Sequence, residues 1–272
     1  MSTSQNKVVV ITGASSGIGE ALAREWFSRG SRLVLLARRK ERLESLAQSL
    51  DPSGARVLVC QGDVTSSASL KSAFEAAIKK FSQVDIVVAN AGFGVVGPFD
   101  KLNVDDFKRQ FDTNVYGVLN TIYAGIDALK QSQGHLVLIG SVAGYVTLSG
   151  SLPYAMSKHA IRALADGLWQ ELHPFGVSVT LVSPGFVESD IRRTNNQGEY
   201  HADAKDPYPS WLVMPRKVAA RQIVRATTRR RREIVVTHHG KLAAFLIQHF
   251  RGMILLLLRS LKMGSRGEPA RQ

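Results

Sequence analysis

An α/β fold built on a seven-stranded, doubly wound parallel sheet is what this sequence predicts, on three observations. Apolar runs rich in Val, Ile and Leu alternate with helix-spaced stretches along most of the chain, the pattern of parallel strands covered by helices on both faces. The first run, Val8-Val9-Val10-Ile11, leads through Thr12-Gly13-Ala14-Ser15-Ser16-Gly17-Ile18-Gly19 into a helix-forming stretch that starts at Glu20. The length of 272 residues suits one large domain, because single cores stop growing at about 250–300 residues.

A strand, a glycine turn and a helix in that order make a glycine motif worth reading. Gly13 permits the tight turn, Gly17 lets the backbone approach a pyrophosphate, and Gly19 lets the helix pack close to the strand. Ser15, Ser16 and Ile18 fill the loop between them, and the amides at the new helix start face the phosphates.

Residues 32–37 read as the second strand, followed by Arg38-Arg39-Lys40. In dinucleotide folds an acid at this strand end bonds the ribose 2′-hydroxyl of NAD. Here Ala37 takes that place and arginines follow. A guanidinium binds a 2′-phosphate bidentately where a carboxylate would repel it. The expected cofactor is therefore NADP(H), with Arg38 the main contact and Arg39 secondary. The other reading of residues 38–42 is a solvated helix start.

A helix over 43–50 ends at Asp51-Pro52-Ser53-Gly54, and 56–61 form the third strand. Gly62-Asp63-Val64 follows, where Asp63 either borders the cofactor or caps the next helix, which covers 70–81. Residues 84–89 are the fourth strand and lead to Asn90-Ala91-Gly92. After a glycine-rich loop at 93–99, one long helix runs from 104 to about 130 with Asn114 inside it, where asparagine is a poor helix former. His135 to Ser141 is the fifth strand, and Tyr154-Ala155-Met156-Ser157-Lys158 begins thirteen residues beyond Ser141. Tyr154 and Lys158, four apart, share one helix face. The helix ends near His173-Pro174, and 177–182 are the sixth strand. Residues 190–211 are polar and too long for a plain connection, which suggests a lid over the substrate, the lid region reaching 214. Tyr208, Trp211, Leu212 and Met214 either line an apolar pocket there or pack on the body. A helix over 215–227 and a strand over 233–237 complete the sheet.

Thr-Gly-x-x-x-Gly-Ile-Gly, Asn-Ala-Gly, Asn114 with Val115-Tyr116-Gly117, Ser141 and Tyr154-x-x-x-Lys158 occur together and in order. Over residues 7 to about 237 the chain resembles the short-chain dehydrogenase/reductase family, whose domain is of the Rossmann type. The resemblance implies a catalytic tetrad of Asn114, Ser141, Tyr154 and Lys158. It places Asp63 and Val64 at the adenine, Asn90, Ala91 and Gly92 beside the cofactor, and Tyr154 and Lys158 at the nicotinamide ribose. It also makes Pro184, Gly185 and Val187 a nicotinamide-side turn, with Ser189 where the family has a threonine. Asn114 would kink its helix and hold a water near Lys158. The Lys158 ammonium would lower the Tyr154 pKa from its free value of about 10. Family members commonly dimerise through the helices bearing Asn114 and Tyr154, so a homodimer is expected. No metal ligand set is expected.

The lone Cys60 sits in an apolar run and reads as a buried, inert thiol. The short polar start at residues 1–7 carries no secretion signal, and the chain is expected in the cytoplasm. Residues 214–272 hold 14 Lys+Arg against 2 Asp+Glu, a balance of +12 out of the net +13. Such asymmetry suggests an anionic surface as partner. The segment 238–272 reads as a basic amphipathic extension beyond the 1–237 domain. Its Leu242, Phe245, Leu246, Phe250, Met253, Ile254, Leu257, Leu258 and Leu261 recur at helical spacing. Three readings stay open: peripheral membrane contact through residues 241–262, packing on the body or a second subunit, and a membrane-spanning helix. Nucleic acid is not an expected partner, because Arg229-Arg230-Arg231-Arg232 has no aromatic stacking platform beside it.

The expected activity is an NADP(H)-dependent interconversion of a ketone and a secondary alcohol. The tail and the lid aromatics suggest an apolar or lipid-like substrate, such as a long-chain 3-keto compound, a sphingoid-base precursor or a steroid. The alternatives are a 3-oxoacyl carrier-protein reductase and a non-catalytic NADP-binding membrane-associated protein.

Overall fold

The computed structural model describes residues 5–201, 203 and 208–260. Seven parallel strands run β3-β2-β1-β4-β5-β6-β7 across one sheet. They are β1 Val8–Thr12, β2 Arg32–Ala37, β3 Val57–Gln61, β4 Ile86–Ala89, β5 His135–Ile139, β6 Ser178–Ser183 and β7 Glu233–Val235. Every residue of β1, β4 and β5 is buried, which is why these strands read as unbroken apolar runs instead of alternating ones.

Helices cover both faces. On one face α1 (Gly17–Ser28), α2 (Lys40–Leu50) and α7 (Arg216–Thr228) pack Leu22, Trp26, Leu43 and Ile223 against Val9, Ile11 and Leu35. On the other lie α3 (Ser67–Phe81), α5 (Gly117–Ser132) and α6 (Leu152–Glu171). They pack Phe74, Ile122 and Ile161 against Val10, Val87 and Leu138. Strand order reverses between β1 and β4, so their carboxyl ends diverge and open a crevice, the usual ligand position in such sheets.

The expected long helix over 104–130 is two helices joined by a wider turn. α4 (Val104–Phe111) runs into a π-helical turn at Asp112–Tyr116, and α5 follows. Asn114 sits in that turn, fully buried. Such a bulge inserts a residue and re-aims the side chains around it. The cap of α3 is Ser66, whose hydroxyl accepts from Ser69 N. Asp63 is therefore not the helix cap. Its carboxylate turns back on Thr65, accepting from both its amide and its hydroxyl at 2.9 Å.

The arginine run is tied into the fold. Arg230 donates to Gln133 O, Gly176 O and Ser178 Oγ, and Arg232 pairs with Asp166 at 2.7 Å. Cys60 is half-buried, and burial pushes its thiol pKa up. The last described element, α8 (His238–Ser260), breaks its helical geometry at Phe250. Before the break Ala244 and Ile247 pack on Tyr145. After it Met253, Leu255, Leu256 and Leu257 are exposed, Leu256 by 65%. Leu261 and Lys262, the end of the expected membrane contact, lie outside the described residues.

Candidate active site

A cleft of about 630 Å³ occupies the crevice at the carboxyl ends of the strands. Every expected site residue except Gly19 and Asn114 lines it. Those two stand directly behind the wall. A Cβ on Gly19 would collide with the Gly13 carbonyl oxygen, so its missing side chain serves close packing. Asn114 clamps the Phe93 peptide, accepting from Phe93 N at 3.1 Å and donating to Phe93 O at 3.0 Å.

The chain leaves β1 at Gly13 with φ +66°, a conformation that L side chains rarely adopt. A Cβ there would also press on Asn90 Nδ2 and Ala91 Cα at 2.9 Å. Asn90 holds the opposite lip. Its side-chain amide donates to Thr12 O at 2.9 Å, while Asn90 N and Ala91 N donate to Thr12 Oγ1 at 3.0 and 3.1 Å. At the start of α1, Ser16 provides no side-chain cap; its hydroxyl accepts from Arg39 Nη2 at 2.7 Å. The first amides of α1 are left for an anion, as a pyrophosphate requires.

The two arginines after β2 behave differently. Arg39 reaches over the glycine loop to Ser15 and Ser16, whereas Arg38 is exposed and donates to Gly198 O at 3.4 Å. The segment 190–200 covers this end of the cleft. Asp190 pairs with Arg42 at 3.2 Å and Arg39 at 3.8 Å, and Tyr200 lies under Arg42 and Arg39. Asn196 ties this segment to the body by pairing with both polar groups of the Val96 backbone, at 3.0 and 2.8 Å. Ser189 caps the short turn Asp190–Arg193 through Ile191 N. The four lid residues expected at a pocket do not line the cleft. Trp211 is 82% exposed, Tyr208 stacks on Phe186, and Met214 packs on the core with its backbone bridged to Val187.

At the other end, β5 delivers Ser141 and α6 delivers Tyr154 and Lys158. Ser141 Oγ accepts from Ala143 N at 3.1 Å, which fixes its hydroxyl at the strand end. Lys158 is buried and donates to Ile139 O at 2.9 Å; its ammonium stands 5.6 Å from the centre of the Tyr154 ring. The expectation for the phenol is corrected here. Burial pushes the Tyr154 pKa up, while a Ser141 hydrogen bond and the Arg192 guanidinium pull it the other way. Burial instead lowers Lys158 itself, from 10.5 to about 8. Asn114 donates to Ser157 Oγ at 3.3 Å, so it reaches α6 one residue short of Lys158. Arg192, on the cleft wall facing Tyr154, carried no signal in the sequence.

The sequence pattern described as short chain dehydrogenase matches residues 7–200. The chain belongs to the short chain dehydrogenase family. This short chain dehydrogenase is 36% identical to an uncharacterized oxidoreductase of Staphylococcus epidermidis over 200 residues, 73% of this chain and 86% of the relative. A second, from Listeria innocua, is 34% identical over 221 residues, 80% and 89% of the two chains. Among solved structures, an alcohol dehydrogenase of Thermococcus sibiricus complexed with 5-hydroxy-NADP superposes with a TM-score of 0.74 at 29% identity, covering 85% and 96%. A short chain dehydrogenase of Burkholderia cenocepacia in complex with NADP shares the fold at a TM-score of 0.79 and 22% identity, covering 94% and 98%.

The Lys158 pKa fixes a sign for stability. Between pH 8 and 10.5 the unfolded chain keeps a proton that the native lysine has shed, so native stability rises with pH across that window. Below it, burying the charge costs on the order of 3 kcal/mol. Cofactor-free Lys158→Met is therefore expected to be more stable than wild type at pH 7, by about 1–3 kcal/mol in denaturant melts, with the gap closing above pH 8. A variant less stable at pH 7, or a gap independent of pH, would contradict this account.

Proposed function

We propose that this short chain dehydrogenase uses NADP(H) to interconvert a ketone and a secondary alcohol. One observation carries the reading: Ser141, Tyr154 and Lys158 line the same cleft as the glycine loop. A binding module has no use for that convergence. The NADP-type ligands of the two solved relatives support the cofactor assignment, as do the absence of an acid at Ala37 and the two arginines behind it. Arg39 is nearest the phosphate loop, and Arg38 is free to turn from Gly198 toward a 2′-phosphate. Asp63, Val64, Asn90, Ala91 and Gly92 would border the cofactor, with Pro184, Gly185, Val187 and Ser189 at its nicotinamide end.

NADPH, when bound, supplies the hydride. The chain's own residues manage the proton. Tyr154, its pKa held up by burial, stays protonated at neutral pH and can donate to the substrate oxygen. Ser141 is placed to hydrogen-bond the same oxygen and steady its developing charge. Lys158, with a pKa of about 8, is mostly charged at pH 7. It favours the phenolate left behind and would bond the nicotinamide ribose. Asn114 keeps the Phe93 loop and Ser157 in register around these groups.

The substrate we favour is apolar. Phe93, Ile139 and Ile191 lie on the cleft wall, and α8 presents a lipid-seeking end. In His238–Ser260, an 18-residue stretch has a mean hydropathy of 1.5. The half before Phe250 is docked on the body. The ten residues from 251 to 260 span only about 15 Å, against a hydrocarbon core of about 30 Å. They suit lying in an interface, with Lys241, Arg251 and Arg259 meeting anionic headgroups. We thus treat 238–272 as an accessory segment that seats a cytoplasmic enzyme on a membrane. Exposed Tyr116, Tyr123 and Trp169 support a dimer through α5 and α6.

Tyr154→Phe is expected to abolish NADPH oxidation with a panel of apolar ketones, read at the nicotinamide absorbance, while still binding NADPH. Wild-type-like turnover would end the proposal. In flotation assays, anionic vesicles should lift the full chain but not one ending at residue 250, and light scattering of the shorter chain should give a dimer. Equal flotation of both chains would remove the membrane reading, and a monomer the dimer.

A further inference from the structure

The turn after β6 is gripped from two sides. Pro184 O accepts from Val142 N at 2.9 Å and from Ser141 Oγ at 3.5 Å. On the other side Phe186 N donates to His239 Nε2 at 3.1 Å. His239 is the second residue of α8, the helix whose far end is apolar and exposed. Its ring stacks on Phe186 with centroids 5.3 Å apart and planes 29° apart, and Phe186 in turn lies 4.0 Å from the lid residue Tyr208. Gly185 leaves no slack in this joint: a Cβ there would collide with Thr237 Oγ1 and reach His239 Nε2 at 2.6 Å.

The bond fixes the state of the ring. Phe186 N–H can only donate, so Nε2 must present its lone pair and the proton resides on Nδ1, a tautomer assigned from the network. Burial, and then His238, lower the His239 pKa, which favours this neutral form. Thr237 Oγ1 lies 3.1 Å from Nε2 and accepts from Gly240 N at 3.2 Å, so α8 begins at the same joint.

We propose that His239 is a positioning residue: through Nε2 it holds the Pro184–Gly185–Phe186–Val187 turn in the shape that receives the nicotinamide end of NADP(H). The inference rests on the reading of the cleft given above. Without the acceptor, Phe186 N–H is unpaired, the turn samples other shapes, and cofactor binding must order it. The adenosine end, served by the loops after β1, β2 and β3, is untouched.

The test uses the full chain with three substitutions. His239→Leu fills the space without an acceptor. His239→Gln places an amide oxygen near the position of Nε2. His239→Asn is equally polar but too short. Binding of NADPH is compared with binding of 2′,5′-ADP, which carries only the adenosine half. The leucine and asparagine variants should bind NADPH about fivefold more weakly than wild type, keep 2′,5′-ADP affinity, and lose kcat. Glutamine should restore both. The proposal is overturned if NADPH affinity is unchanged in His239→Leu, if both ligands weaken together, or if glutamine does no better than asparagine. Wild-type protein that binds neither ligand would instead bring down the cleft reading itself.

Discussion

Where β1 and β4 part, Thr12 and Asn90 close the gap. Thr12 Oγ1 takes two backbone amides from the far side and donates to Val88 O at 3.3 Å, while the Asn90 amide spans to Thr12 O and Gly13 O. Diverging strands leave backbone groups without ladder partners, and buried unpaired groups of this kind cost about 1–3 kcal/mol each. Two short polar side chains satisfy them. The same contacts fix the curvature of the glycine loop and the height of Gly92, so the floor of the cleft is set by the joint that holds the sheet together.

The opposite end of the cleft works against stability. A buried ammonium and a half-buried phenol are kept side by side, each shifted by loss of water. What holds them is local: Ile139 O for Lys158, Ser141 for Tyr154, and an α6 face anchored by Ile161 and Ala165. The π turn at Asn114 is part of the same device, since it aims one amide at both polar groups of Phe93. The charge burial costs stability, and the core supplies what tolerates it.

Most of the scaffold was legible from residues alone. Val8 to Ile11 and Leu136 to Ile139 read as buried strands, and the family resemblance carried by the glycine turn, Asn90, Ser141, Tyr154 and Lys158 implied which ends meet. Distant pairings were not legible. Asn196 meets Val96 across 100 residues and His239 meets Phe186 across 53; no spacing rule reaches that far. Some local readings were underdetermined. Asp63 and Ser66 are both good caps, and only the backbone chooses Ser66. Arg38 and Arg39 are adjacent and chemically equal, yet only Arg39 turns onto the loop serines. Trp211 looked like a pocket wall and stands in solvent; the segment 190–200 meets the body through Asn196 and Tyr200 instead. The phenol's direction of shift was misjudged because proximity of a lysine was weighed without burial.

The account stands on a guanidinium-lined pocket beside a glycine loop, so a direct comparison of NADPH and NADH affinity for the full chain tests it most sharply. Two arginines after β2, with Ala37 where an acid would bind the ribose of NAD, predict NADPH binding at least about tenfold tighter, given the strength of charge-assisted contacts. Equal affinities, or tighter NADH, would contradict it.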